Sequence, residues 1–124
     1  MPLALYVAAG GAIGAVARYL VAALVARSWS HVLPMGTLVV NVSGCFLIGA
    51  IAGAGESRAL LTAETRAFLI VGILGGYTTF SAFGLEAFEL LRRGELAIAA
   101  THFIVQCVAG TGAVAAGYTL TRVK

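Results

Sequence analysis

Four long apolar runs separated by three short polar stretches make up almost the whole chain. The first, Leu3 to Ala26, is apolar apart from Arg18; at 1.5 Å per residue it reaches roughly 36 Å, enough to cross a bilayer with some tilt. Arg27-Ser28-Trp29-Ser30-His31 follows as an interfacial connection, and Pro34 suits the first turn of a new helix. The second run covers about residues 35–55 and carries Thr37, Asn41 and Ser43 before ending in Gly55-Glu56-Ser57-Arg58. Thr62-Ala63-Glu64 reads as an N-cap and first turn, opening a third run at about residues 66–91. Inside that run, Gly75-Gly76-Tyr77-Thr78-Thr79 combines glycines, β-branched residues and an aromatic, all weak helix formers, and predicts a break. After the turn Arg92-Arg93-Gly94-Glu95, the fourth run covers about residues 96–120. The pattern predicts an all-α membrane protein, four transmembrane helices with a break in the third, forming one domain over residues 1–124.

Composition supports lipid as the solvent. Of 124 residues, 60% are hydrophobic and 10% charged, against about 25% charged in soluble domains. A chain this short leaves no room for a separate catalytic domain. Met1 and Pro2 lead into the first run without a basic segment, so that run is expected to be a retained helix and the mature protein the whole chain. Cys45 and Cys107 lie in apolar runs without disulfide or zinc spacing and read as small buried hydrophobes. Small residues recur at four-residue spacing, Gly10 with Gly14, Gly49 with Gly53 and Gly72 with Gly76, as expected where helices pack closely within one subunit.

The net charge is +3, from eight Lys and Arg against five Glu. Only Arg92 and Arg93 are adjacent, so this is no nucleic-acid footprint; the excess suits phospholipid headgroups or an attraction for anions. Four spans put Arg58, Arg66, Arg122 and Lys124 on one side of the membrane and Arg27, Arg92 and Arg93 on the other. Because Lys and Arg bias sets orientation, this near tie allows insertion either way up. Two copies in opposite orientations could then pair about an axis in the membrane plane, an inverted repeat that many transporters encode in one chain.

Polar residues within the runs need an explanation. Arg18 sits about nine residues, or roughly 13 Å, from the end of its helix, and an arginine that deep costs about 2.5–3.5 kcal/mol on insertion scales. It either snorkels to helix-end carbonyls or draws anions inward. Thr37, Asn41 and Gly44 share a helix face. Asn41 offers two N–H donors, either to another helix, a bond of about 0.6 kcal/mol, or to a ligand. A break at Gly75 to Thr79 would free backbone groups that lipid cannot satisfy, so it must be buried in protein or line water or an ion. Phe80 and Phe83 follow on one face and could turn positive ring edges toward an anion. Glu86 continues that face toward a pore mouth, and His102 and Gln106, four residues apart, form a polar stripe on the fourth helix.

The segments Gly10-Gly11-Ala12-Ile13-Gly14-Ala15-Val16-Ala17-Arg18-Tyr19, Gly36-Thr37-Leu38-Val39-Val40-Asn41-Val42-Ser43-Gly44 and Gly72-Ile73-Leu74-Gly75-Gly76-Tyr77-Thr78-Thr79-Phe80-Ser81-Ala82-Phe83 together resemble the Fluc family of fluoride channels, also called CrcB. The resemblance covers the first three helices in order; the fourth matches in length and character. It implies a bacterial channel through which fluoride leaves the cytoplasm passively, an antiparallel dual-topology homodimer with two pores. It further implies that Asn41, Phe80 and Phe83 line the pores, that Arg18 sits near a vestibule, and that backbone carbonyls of Gly75 and Thr78 from both subunits hold a structural sodium ion. The family pattern has a hydroxyl residue where this chain has Ala82, which leaves Ser81 and Thr79 as the nearby hydroxyls.

Three other readings are weaker. A small proton-coupled multidrug exporter needs a carboxylate in the first helix, where Arg18 is the only charge. A non-transporting assembly subunit would give no ion flux by itself. An enzyme finds no paired carboxylates, activated nucleophile or metal cluster in the spans, and the glycine pairs lack the setting of a phosphate loop.

Overall fold

The computed structural model describes residues 1–58 and 61–122, with residues 56–58 described through their helical backbone. The side chains of Glu56, Ser57 and Arg58, and Lys124, counted above among the loop and tail groups, lie outside the described residues. The described residues are helical apart from short connections. Helix α1 is Leu3–Ser28, α2 is Met35–Arg58 and α3 is Ala63–Thr65. A π-helical segment, Arg66–Leu74, continues α3 and runs into α4 (Gly75–Tyr77). Helix α5 is Phe80–Arg92 and α6 is Leu96–Thr121. Four stretches are long and apolar enough to cross a membrane: Leu3–Ser28, Met35–Gly55, Ala63–Arg92 and Leu96–Thr121.

The boundaries follow local chemistry. Thr62 caps α3, its side-chain oxygen accepting from Thr65 N–H at 3.2 Å. Gly94, at φ 77°, takes the left-handed conformation that closes α5. Gly94 N–H donates to Leu91 O at 3.0 Å and Glu95 N–H to Leu90 O at 2.9 Å, a Schellman motif. The connection from α1 to α2 is tied by Trp29, whose ring N–H donates to Leu33 O at 2.9 Å.

Glycines set how closely the spans approach. A Cβ on Gly10 or Gly14 of α1 would strike the carbonyl oxygens of Phe68 and Ile73 in the π-helical segment, and Gly76 backs onto Gly11. In the second tight pair, Gly49 of α2 lies against Val114 of α6, and Gly117 of α6 against the Phe46 carbonyl. Thr121 adds a hydrogen bond of 2.8 Å from its hydroxyl to Ala50 O. Close backbone approach maximises dispersion contact, which matters here because burying apolar surface from lipid gives no solvent-driven gain. Large apolar side chains such as Leu20, Leu24, Val108 and Leu120 instead point outward, where lipid tails or another subunit receive them. The nine-residue π-helix was not anticipated from sequence; Gly10 of α1 packs directly against its backbone at Phe68 and Gly72.

Within the expected interruption, Gly75–Tyr77 is still α-helical, and only Thr78 (φ −80°, ψ 158°) and Thr79 (φ −150°, ψ 119°) are extended.

Candidate functional site

The extended pair Thr78-Thr79 creates backbone groups that α-helix geometry would have satisfied. In a continuous helix Thr79 N–H would reach the Gly75 carbonyl and Ala82 N–H the Thr78 carbonyl. Both donors are diverted to side chains. Thr79 N–H donates to Asn41 Oδ1 at 2.9 Å, and Ala82 N–H donates to Thr79 Oγ1 at 3.1 Å, capping α5. The carbonyls of Gly75 and Thr78 are thereby released from their helical donors, and hard cations such as sodium take oxygen ligands of this kind.

Asn41 holds the interruption from the other side. Its Nδ2 donates to Thr79 O at 3.0 Å while its Oδ1 accepts from Thr79 N–H, so the carboxamide replaces a backbone partner. The remaining Nδ2 hydrogen goes to Gln106 Oε1 on α6 at 3.2 Å. Gly44, one turn along α2, leaves the space occupied by the Thr78 methyl group and the Tyr77 ring. Ser43 and the Tyr77 hydroxyl lie 2.8 Å apart.

These groups edge a cavity of about 420 Å³. Its polar wall is Asn41, Thr78, Thr79 and Gln106, with Phe80 and Phe83 beside them, and Ile48, Ile70 and Leu74 supply apolar wall. Phe83 is buried, its ring centroid 5.6 Å from Phe80, 5.1 Å from His102 and 5.8 Å from Phe103. Phe80 is 82% exposed in the single chain. Cys45 and Cys107 also line this cavity; Cys45 is half-buried and Cys107 exposed. The expectation of two buried cysteines is corrected on that point, because both edge the cavity, Cys45 with its sulfur also facing Gly110 of α6.

Other residues singled out from sequence fall around this centre. Ser81 is exposed, its hydroxyl 3.3 Å from Thr79 Oγ1. Glu86 accepts from the Thr37 hydroxyl at 2.5 Å. His102, fully buried, places Nε2 3.3 Å from Glu86 Oε2. That separation suits an ion pair, but the angles do not make a hydrogen bond: Glu86 Oε2 and both ring nitrogens lack hydrogen-bond partners. Neither Glu86 nor His102 lines the cavity, whereas Gln106 does. Arg18 is half-buried on α1 away from the cavity and makes no hydrogen bond or ion pair among the described residues. Among those residues there is also no group of three His, Cys, Asp or Glu that could hold a metal. The sequence reading missed the link from Thr37 through Glu86 to His102 and the binding of Asn41 to backbone. Helical spacing relates residues on one helix and carries no signal for such pairs.

Residues 5–118 match the family described as CrcB-like protein, Camphor Resistance (CrcB). The chain belongs to the CrcB family. Among its CrcB relatives, the fluoride-specific ion channel FluC 1 of Nitrobacter hamburgensis is 49% identical over 119 residues, covering 96% of this chain and 94% of the relative. The fluoride-specific ion channel FluC of Nitrobacter winogradskyi is 50% identical over 119 residues, with the same coverage. That of Agrobacterium fabrum is 45% identical over 116 residues, covering 94% of this chain and 93% of the relative. The CrcB match thus takes in α6 with Gln106 and His102, which the sequence motifs had left aside. With its four apolar spans, this CrcB chain is a multi-pass membrane protein.

Proposed function

We propose that this chain is a passive, fluoride-selective ion channel, not an enzyme, through which fluoride leaves the cytoplasm and which confers fluoride resistance. One observation carries the reading: Asn41, Thr79, Phe80, Phe83 and Gln106 converge on one cavity in a membrane-spanning chain. The 49 to 50% identity to proteins named fluoride-specific ion channels supports it. Fluoride is small and strongly hydrated, so a pore must replace its water. Amide hydrogens, the hydroxyls of Thr79 and Ser81, and the positive edges of Phe80 and Phe83 are the available substitutes. A potential negative inside drives a single anion outward by about 2.3 kcal/mol per 100 mV, so no energy coupling is needed.

The working unit is an antiparallel dual-topology homodimer with two pores in the bacterial inner membrane. The near-even Arg and Lys count supports it, as does the exposure of Phe80 in the single chain, which leaves that ring for a second copy to meet. Arg18 stands at a vestibule that attracts anions, and Glu86 and His102 flank the pore mouth. Carbonyls of Gly75 and Thr78 from both subunits hold a central sodium ion; when bound it would neutralise converging dipoles and fix the two interruptions against each other.

The test is fluoride-electrode efflux from proteoliposomes, with chloride as comparison. Fluoride is expected to leave rapidly and chloride to stay, and Asn41→Asp and Phe80→Ile are each expected to slow fluoride by about tenfold, the first by placing a carboxylate beside the cavity and loosening the Thr79 backbone it holds, the second by removing a ring edge from the cavity wall. Fluoride retention equal to that of empty vesicles, or unchanged efflux in both variants, overturns the reading.

A further inference from the structure

We propose that the cleft between α2 and α6, on the side away from the cavity at Asn41, is a lipid site that holds one acyl chain of an anionic phospholipid with its phosphate at the His31 end. The site requires a chain that spans a membrane and is independent of what passes through it.

Two cavities line this cleft. One, of about 680 Å³, runs between Val39, Val42 and Phe46 of α2 and Val105, Ala109 and Ala113 of α6. The other, of about 310 Å³, lies between residues 31–33 of the first connection and Ile98 and Thr101 of α6. On α6 the lining residues fall at Ile98, Thr101, Val105, Ala109 and Ala113, steps of three or four that keep to one face. The cavities are therefore successive stretches of one groove with its mouth at the connection. From Thr101 to Ala113 it rises about 18 Å, close to one leaflet's half of a roughly 30 Å hydrocarbon core. It ends one turn before Gly117 of α6 meets the Phe46 carbonyl, where the two helices touch.

The lining selects the occupant. Ser43 is the polar side chain in the deeper cavity, and its hydroxyl is already taken up by Val40 O at 3.0 Å and the Tyr77 hydroxyl at 2.8 Å. A polar ligand finds no partner there. An empty groove forfeits dispersion contacts along its walls, and a hydrocarbon chain restores them. The face proposed above for a second copy, with Phe80, Gly75 and Thr78, lies across the α2–α6 pair: Asn41, Cys45 and Cys107 line that side, and Val39, Val42 and Val105 line this one. At the mouth the chemistry changes. Residues 27–34 and 92–95, on one side of the membrane, carry Arg27, Arg92 and Arg93 against Glu95. None of these arginines has an ion-pair partner among the described residues. Trp29, a residue type concentrated at headgroup depth, meets the His31 ring edge-on at 5.0 Å and so keeps an imidazole N–H donor at the entrance. Unpaired arginines at headgroup depth favour an anionic lipid over a zwitterionic one.

Native mass spectrometry of the full-length protein in detergent tests the site, with phosphatidylglycerol and phosphatidylethanolamine of identical chains added in equal amounts. The parent is expected to retain one phosphatidylglycerol per chain, in about fivefold excess over phosphatidylethanolamine, the attraction of one basic residue near a lipid surface. Ala109→Phe fills the groove and is expected to abolish retention, whereas Val108→Phe, at an outward-facing position, is expected to retain lipid like the parent. Arg27→Gln together with His31→Asn, both exposed positions, leaves the groove intact and is expected to bring the two lipids to parity. This double variant guards against misfolding of Ala109→Phe. Equal retention of the two lipids by the parent, unchanged retention in Ala109→Phe, equal losses in Val108→Phe and Ala109→Phe, or an undiminished preference in the double variant each overturns the proposal. A dimer that dissociates in Ala109→Phe overturns it in favour of a second copy in the groove. None of these readouts involves fluoride, so failure of the channel reading would leave them unchanged.

Discussion

Asn41 stood out in the sequence as an amide in an apolar helix, with two hydrogens to offer a ligand. In the fold both hydrogens and the oxygen are committed, to the Thr79 backbone and to Gln106. Asn41→Asp keeps an acceptor for Thr79 N–H but sets a carboxylate oxygen against the Thr79 carbonyl and Gln106 Oε1. Thermal unfolding in detergent is expected to show a loss of about 1–3 kcal/mol, alongside the slowed efflux. His102 was legible only as one half of a stripe with Gln106; its partner Glu86 is on another helix. His102→Leu is expected to destabilise the protein by about 1–3 kcal/mol, because it leaves the partly buried Glu86 carboxylate without the imidazole 3.3 Å from its second oxygen. The same melts measure it, and an unchanged midpoint would show that the pair contributes nothing.

At the scale of elements, the apolar runs and caps were legible because each depends on residues a few positions apart. Thr62 and Gly94 act where the sequence puts them. The π-helical turns from Arg66 to Leu74 were not legible, since a period of 3.6 was assumed and the wider turn depends on what packs against it. Glycine spacing marked close contact without naming the contact. The structure separates glycines that need to be glycine from those that do not. Gly14→Ala sets a methyl group against the Ile73 carbonyl and is expected to cost about 1–3 kcal/mol by overpacking. Gly112→Ala meets nothing within 4 Å and is expected to be neutral or to gain up to about 1 kcal/mol from helix propensity. Equal melting shifts for the two would contradict this packing.

For the whole molecule, the proposed dimer makes the even charge count functional. Adding three arginines to the connection around Gly94 should drive every copy into one orientation. Such protein, expressed alone, is expected to lose fluoride efflux. Co-expression with a variant biased the opposite way, by arginines after Thr121, should restore it. Efflux from the singly biased protein equal to that of the parent would argue against opposite orientations. Gly75 and Thr78 belong to this scale too, because one chain supplies only two carbonyls and an ion between subunits would need both copies. Replacing sodium with N-methylglucamine during purification is therefore expected to raise the dissociated fraction on size-exclusion chromatography.

Hydropathy along the chain was enough to establish lipid as solvent, four helices and the approximate ends of each, because transfer into a bilayer is a property of successive residues. Helix propensity marked Gly75 to Thr79 as the weakest helix formers of the third run, and Thr78 and Thr79 among them are extended. Only the tertiary structure decided which two of those residues leave the helix, and which side chains take up their hydrogen bonds. Those bonds join Asn41 to Thr79 across 38 positions and Asn41 to Gln106 across 65. No local period spans such distances; packing does, by bringing α2, α5 and α6 together around buried groups that each require a partner.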